Sequence, residues 1–431
     1  MKTLKNYTLV LAVIAFSSTI SYGQIVLAIG KKKDKDKENK ETTTATPTTV
    51  TTPTEVPTTQ EEPKEEVKTF TLSGSVDTYF HSSFGTQNGY PMIDPTTPGE
   101  TYAPSTSFAD LKGFSLGMVN LIASYQGEKA GFVGDVVFGP RGKAAVFGTA
   151  SGQAIVNQLY AYYKLSDAVT INLGQFNTFL GYEVISPTIN FHYSTSYLFS
   201  WGPFNHTGAR ADFAFGDGFV AKVAVMNPTD IVEFNPVNTY TLGGQIGYSN
   251  DAGGIWLNVL SGDQDGKLDT DKDAIGATSA GKLFQWDITT SWNLGEKFSL
   301  GLNTSMQSTG KRKIINAQND IVDVPGAESS SFFGVALYPK LTLSETFGLG
   351  LRAEYFAIKK GHLGIIGLDG NGDGNVMEFT LSGNYKVGGL TFIPEFRIDK
   401  TSEDSFYTMS NRTASPKSLL ATINLAAVYK F

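Results

Sequence analysis

Leu419–Phe431 reads LLATINLAAVYKF, and its two rows of side chains differ in kind. Leu419, Ala421, Ile423, Leu425, Ala427, Tyr429 and Phe431 form one apolar row, while Thr422, Asn424 and Lys430 fall on the other. A period of two is that of a β-strand, whose successive side chains point to opposite faces. Phe284–Leu294 shows the same split, with Trp286, Ile288 and Trp292 opposing Gln285, Asp287, Thr289, Ser291 and Asn293. Such runs, each about ten residues long, recur from Phe70 to the end of the chain.

The gaps between the runs alternate short and long. Short ones fall at Gly127-Glu128-Lys129, Ser166-Asp167, Gly216-Asp217-Gly218, Asn250–Gly253, Gly295-Glu296-Lys297, Ser344-Glu345-Thr346 and Gly388-Gly389. Gly, Asp and Asn supply the positive φ that hairpin turns require. Long polar stretches fall near 81–112, 140–152, 178–206, 227–239, 262–282, 308–329, 360–374 and 400–417. A soluble sandwich also alternates, but its polar face lies outside and its loops do not sort by length onto two rims. The fold class is therefore all-β: a transmembrane antiparallel up-and-down barrel of about 16 strands, with 14 and 18 as the neighbouring counts, short periplasmic turns and long outer loops. An even count puts both ends of the barrel on the short-turn rim.

Composition agrees. The chain has 431 residues with 46 Gly, 19 Tyr and 29 Phe, only 17% charged residues and no Cys, which excludes disulfides and thiolate metal sites. The formal net charge of −7 comes without a basic stripe in the folded part, so nucleic acid is not an expected partner. Residues 1–23 read as a signal peptide: Lys2 and Lys5, an apolar run from Tyr7 to Phe16, then Ser21-Tyr22-Gly23. That run falls short of the ~20 residues a spanning helix requires. Residues 24–68 combine a lysine run, TTTATPTTVTTPTEVPTTQ and an acidic patch, and read as a disordered periplasmic tether. The barrel is then 69–431. Expected partners are outer-membrane lipid and the barrel-insertion machinery, since Val428-Tyr429-Lys430-Phe431 resembles the aromatic ending of outer-membrane barrels.

With the apolar rows facing lipid, the opposite rows line the lumen. They carry Lys164, Arg210, Lys222, Arg352, Lys386 and Arg397 against Asp212, Asp287, Glu354, Glu395 and Asp399. Further inward candidates are Lys430, Asp77, Asp135 and Glu378. Lipid placement would cost about 2–4 kcal/mol for each Arg or Lys at the midplane. The signs nearly cancel, so the channel is expected to pass small hydrophilic solutes without strong ion preference. Close pairs such as Arg352 with Glu354 and Arg397 with Asp399 have a second reading as ion pairs that stiffen the wall.

One long gap is unlike the rest. Gly174–Arg210 reads GQFNTFLGYEVISPTINFHYSTSYLFSWGPFNHTGAR. Each of its many rings would bury roughly 150–250 Å² on packing, too much to leave in water. The loop is expected to fold inward and constrict the pore through Gly181, Tyr182, Glu183, Asn190, His192, Tyr193, Ser194 and Ser196, with Glu183 as the functional charge. The alternative is an aromatic rim or a barrel-to-barrel contact, which would make a homo-oligomer. The stretch resembles the OmpL-like β-barrel porins through Gly174–Thr178, Gly181-Tyr182-Glu183, Asn190, Tyr193–Ser196, Pro203 and His206-Thr207-Gly208. That resemblance implies an outer-membrane channel and carries over no catalytic residue.

Asp369, Asn371 and Asp373, followed by Gly374, reproduce the first half of a Ca²⁺ loop, but position 12 is Thr380 rather than Glu. Calcium is thus the one cofactor to weigh, against the plain reading of solvated turn residues. His81, His192, His206 and His362 are the only imidazoles, and no paired catalytic motif accompanies them, so no enzyme is expected. A porin for small hydrophilic solutes in the bacterial outer membrane is the leading reading. A non-conducting barrel that anchors adhesive or calcium-ordered loops is the alternative.

Overall fold

The computed structural model describes residues 69–88, 104–147, 155–410 and 413–431. The expected signal peptide at 1–23 and tether at 24–68 lie outside the described residues. Sixteen antiparallel strands close into one barrel. In chain order they are β1 (Thr69–Ser83), β2 (Gly113–Gln126), β3 (Ala130–Phe138), β4 (Val156–Ser166), β5 (Val169–Asn177), β6 (Asn205–Gly216), β7 (Phe219–Met226) and β8 (Thr241–Asn250). They continue as β9 (Gly253–Asp263), β10 (Lys282–Asn293), β11 (Phe298–Thr309), β12 (Ser330–Thr342), β13 (Phe347–Lys359), β14 (Gly374–Val387), β15 (Leu390–Thr401) and β16 (Leu419–Lys430). Each strand pairs with its chain neighbours, and β1 closes the cylinder: Val76 stands opposite Val119 of β2 and Tyr429 of β16. Every strand thus has a neighbour on each side, as a hydrocarbon environment demands.

The turn residues adopt the conformations their chemistry permits. At the β6–β7 turn Gly216, Asp217 and Gly218 have φ of 83°, 50° and 87°. Along the strands Leu257, Phe396 and Leu425 of the outward rows are exposed, whereas Asn258, Arg397 and Asn424 of the inward rows are buried. The outer face is thus apolar and the lumen polar, the arrangement that lipid outside requires. Tyr125, Tyr163, Tyr248, Tyr385 and Tyr429 stand near the short-turn rim as part of an aromatic girdle.

Two departures from plain loops appear on the long-loop rim. Residues 278–279, 313–315 and 321–323 form one small sheet, and 87–88, 406–410 and 413–417 another. The third departure is inside the wall. β3 stops at Phe138, opposite Val119, so the outer end of β2 from Gly113 to Met118 pairs with β1 alone. A short helix, α1 (Pro140–Ala145), follows and packs against β2 and β3.

Lipid outside and a crowded lumen inside make a mutational test. Leu257→Arg, on the outward face of β9, should lower stability in a bilayer by about 2–4 kcal/mol, and Ser299→Arg, inward on β11 near the short-turn rim, by less than about 1 kcal/mol. Urea unfolding in vesicles would measure both, and equal effects would reverse the assignment of faces.

Candidate functional site

The loop between β5 and β6 enters the barrel and reaches the wall on the far side. Its entry is fixed where Thr178 N–H donates to the Phe204 carbonyl at 2.9 Å. Farther along, Gly181 N–H donates to Asp287 Oδ1 of β10 at 3.0 Å. Tyr193 N–H reaches Glu395 Oε2 of β15 at 2.9 Å, and the Tyr193 hydroxyl donates to Asp77 Oδ2 of β1 at 2.6 Å. The N–H groups of Tyr197 and Leu198 divide between the two oxygens of Glu354 on β13, each at 2.8 Å. A second short helix, α2 (Tyr197–Ser200), begins here because Ser196 Oγ accepts the Phe199 N–H at 3.0 Å.

Two arginines complete the attachment. Arg352 of β13 donates from Nη1 to Glu183 Oε1 at 2.7 Å and to the Ser194 carbonyl at 2.8 Å, and from Nε to Glu378 Oε2 of β14 at 3.0 Å. Arg397 of β15 donates from Nη1 to the Thr195 carbonyl at 2.7 Å and pairs through Nε and Nη2 with Asp399. Buried charges are tolerated only when paired and hydrogen-bonded, and buried backbone groups only when satisfied. The loop backbone and the wall charges satisfy each other.

Apolar contacts seat the loop sideways. The Tyr182 and Tyr338 rings stack with centroids 4.2 Å apart. The wall makes room with small residues: a Cβ on Gly301 would stand 2.4 Å from Tyr182 Cζ, and one on Gly350 would stand 2.5 Å from Phe191 Cδ1. Tyr193 and Tyr197 are fully buried.

The residues expected at a constriction therefore occupy different positions within one packed network. Asn190 folds the loop on itself, accepting the Val184 N–H at 2.9 Å and donating to the Val184 carbonyl at 2.6 Å. His192 Nδ1 meets Ser382 Oγ at 2.8 Å. Glu183, expected as the functional charge of the constriction, has both oxygens engaged, by Arg352 and by the Ser196 N–H at 2.7 Å. It is a fastener rather than a charge facing water, because Arg352 stands directly across the lumen. Among the inward charges, Asp212 holds Arg210 at 2.8 Å and Lys222 at 3.2 Å. Lys164 and Lys386 stand nearer the short-turn rim, below the loop. Sequence reasoning missed Lys340, whose Nζ donates to the Tyr182 hydroxyl at 3.0 Å. Its inward parity with Tyr338 would have found it.

The loop with calcium-like spacing closes as a turn. Asp369 Oδ1 accepts the N–H groups of Asn371 and Asp373 at 2.8 and 2.9 Å. Lys359 Nζ pairs with Asp373 at 2.7 Å and, with Lys360 beside it, holds that carboxyl below its ordinary range.

Two outcomes are expected. Arg352→Met leaves Glu183 and Glu378 buried without their counter-charge, so it should cost about 3–5 kcal/mol and expose the loop to protease; unchanged unfolding and cleavage would contradict the network. The second concerns Asp230, whose Oδ1 accepts the N–H groups of Phe204 and Asn205 at 2.9 and 2.8 Å. Removal from water pushes its carboxyl up to about 7, against the pull of those two donors. Folding then favours the protonated form, so the contribution is complete below the ordinary pKa of 3.8 and is lost as pH rises toward 7. Unfolding midpoints between pH 4 and 8 should fall with pH, and Asp230→Asn should flatten that slope.

The chain matches, over residues 69–431, the family described as "Putative beta-barrel porin-2, OmpL-like". Among solved structures it is similar to the anion-selective porin from Comamonas acidovorans, at 12% identity and a TM-score of 0.53, with 85% of this chain and 100% of that one covered. It is similar also to the outer membrane channel DcaP of Acinetobacter baumannii, at 12% identity and 0.51, covering 84% and 97%. OmpT of Vibrio cholerae follows at 11% identity and 0.50, covering 86% and 99%. At such identities the likeness is one of fold. Comparison with curated protein sequences finds no match. A closed 16-stranded barrel with a lipid-facing apolar surface, matched by this family along its whole length, places the chain among the OmpL-like β-barrel porins of the bacterial outer membrane.

Proposed function

We propose that this porin passes small hydrophilic solutes and that the loop of residues 178–204 sets their size limit. The observation that carries the reading is the crossing itself: Gly181, Tyr193 and Tyr197 hydrogen-bond to Asp287, Glu395 and Glu354 on the wall facing the loop's own strands. A barrel of 16 strands without an obstruction is wide enough for an aqueous channel. Here a solute must pass a cross-section in which Arg352, Glu378, Arg397 and Asp399 are buried. Because these charges pair within the wall and with the loop, they offer little net field to select one ion sign.

A catalytic role finds no support in the imidazoles. His192 bonds Ser382, and Ser382 in turn donates to Glu395 at 3.0 Å, so the hydroxyl lies between ring and carboxylate. A nucleophile needs the ring in the middle. His206 bonds the Thr178 hydroxyl at 3.0 Å, and His362 lies between Ser330 and Gln307.

The purified protein in a planar bilayer should conduct in small steps with a reversal potential near zero under a salt gradient. Deleting Ile185 to Ser200 should raise the step several-fold, because water then fills the section the loop occupied. An unchanged step would remove the loop from the role, and a silent bilayer would remove the channel.

A further inference from the structure

The loop between β13 and β14, residues 360–373, is seated on the crossing loop. Ile365 and Ile366 are buried and share one apolar cluster with Tyr197 and Leu198 of the crossing and with Phe356 and Ile358 of β13. Leu363 and Leu368 pack against the same cluster. The polar fastenings of this outer loop are few. Among the described residues, no backbone hydrogen bond holds 363–366. The segment is tied at its two ends instead: Gly367 N–H donates to Ser405 Oγ at 2.8 Å, and His362 meets two side chains of the wall.

His362 ends an oriented chain of hydrogen bonds across β10 and β11. Ser305 Oγ donates to the Trp286 carbonyl at 2.9 Å and accepts from Gln285 Nε2 at 3.1 Å. Gln285 Oε1 in turn accepts from Gln307 Nε2 at 3.0 Å. This leaves Gln307 Oε1 facing His362 Nε2 at 3.0 Å, so that nitrogen carries the proton, and Nδ1 accepts from the Ser330 hydroxyl at 2.9 Å. The neutral ring satisfies both contacts in one tautomer.

A second proton would enter at Nδ1, where Ser330 donates. The ring is half-buried beside Phe332, with centroids 5.8 Å apart. The charged groups of the surrounding elements are already engaged. Lys359 pairs with Asp373 and Lys360 with Glu328, each at 2.7 Å, and Asp369 accepts the N–H groups of Asn371 and Asp373. No carboxylate answers the ring, and burial holds its pKa below the ordinary 6.5.

We infer that residues 362–368 form a lid on the crossing, held shut by neutral His362 and released when acid protonates the ring. The closed lid disfavours the added proton, so closure is complete above the ordinary 6.5 and is lost as pH falls below it. Each pKa unit that closure removes from the ring shifts the closed-to-open ratio about tenfold. The effect on conduction rests on the channel reading above, whereas the movement of the lid does not.

Hydrogen exchange of the full chain in vesicles, corrected for intrinsic rates, reads the lid directly. Between about pH 7.5 and about pH 5, protection of 363–368 should fall roughly fivefold or more, while β13 and β14 keep theirs. His362→Gln retains a donor toward Gln307 and an acceptor toward Ser330 but takes up no proton, so its protection should not respond to pH. Ser330→Asp places a carboxylate beside Nδ1 and should keep the lid shut in acid. A heat-dependent shift in gel mobility checks that both variants fold. In a planar bilayer, a larger conductance level should be visited more often in acid by the wild type and by neither variant. Unchanged protection in the wild type overturns the inference, and so does an equal acid response in His362→Gln. A lid that loosens in acid without any change in conductance overturns its part in passage. A bilayer silent at both pH values counts against the channel reading alone, because exchange still decides the lid.

Discussion

The exchange between the loop backbone and the charges of the far wall governs the rest of the molecule. About 27 residues entering a barrel bring with them peptide groups that lose water, and each left unpaired would be costly. The wall holds the opposite problem: Arg352 and Glu354 on β13 and Arg397 and Glu395 on β15 lose water as the loop arrives. Each part supplies partners for groups that the other removes from water. Glu354 takes two consecutive N–H groups from the start of α2, and Arg352 takes one carbonyl and one carboxylate of the loop. The path of the loop follows from where those charges stand in the barrel.

The rings then determine how closely the crossing fills. Tyr182 and Phe191 fit because Gly301 and Gly350 leave the wall flat beneath them. Tyr193 carries both functions, packing its ring beside Tyr79 at 5.2 Å while its hydroxyl bonds Asp77. Polar fastening fixes the register of the loop against the wall, and aromatic packing closes the gaps between fastenings. This division explains why a loop in a channel protein carries so many aromatic residues.

The barrel was legible in the sequence because two signals reinforced each other. A period of two identified the strands from Leu419 to Phe431 and from Phe284 to Leu294, and the sorting of turn lengths onto two rims distinguished a barrel from a sandwich. Inward placement of the loop was legible from its rings alone. What it touches was not. Barrel closure brings Tyr193 to Glu395 and Tyr182 to Lys340 across long stretches of chain, and nothing local in the sequence records that meeting. The pairing of Glu183 was hidden for the same reason, since its partner Arg352 lies on a strand far along the sequence. The helix at Pro140 and the small sheets of the outer rim are too short for periodicity to show, and Asp369–Asp373 has the composition of a turn and of a calcium loop alike.

The central claim is positional: the loop lies across the lumen against β12 and β13. A cross-link tests it directly, since the chain contains no Cys of its own. Leu198 packs on Gly334, its Cγ 2.8 Å from where a Cβ would stand, which brings the two positions within the reach of a disulfide. A Leu198→Cys, Gly334→Cys double variant isolated from the membrane and oxidised should form this bond in nearly every molecule, visible as altered migration of the denatured chain that reductant reverses. A folded barrel in which the two thiols stay free would contradict the crossing.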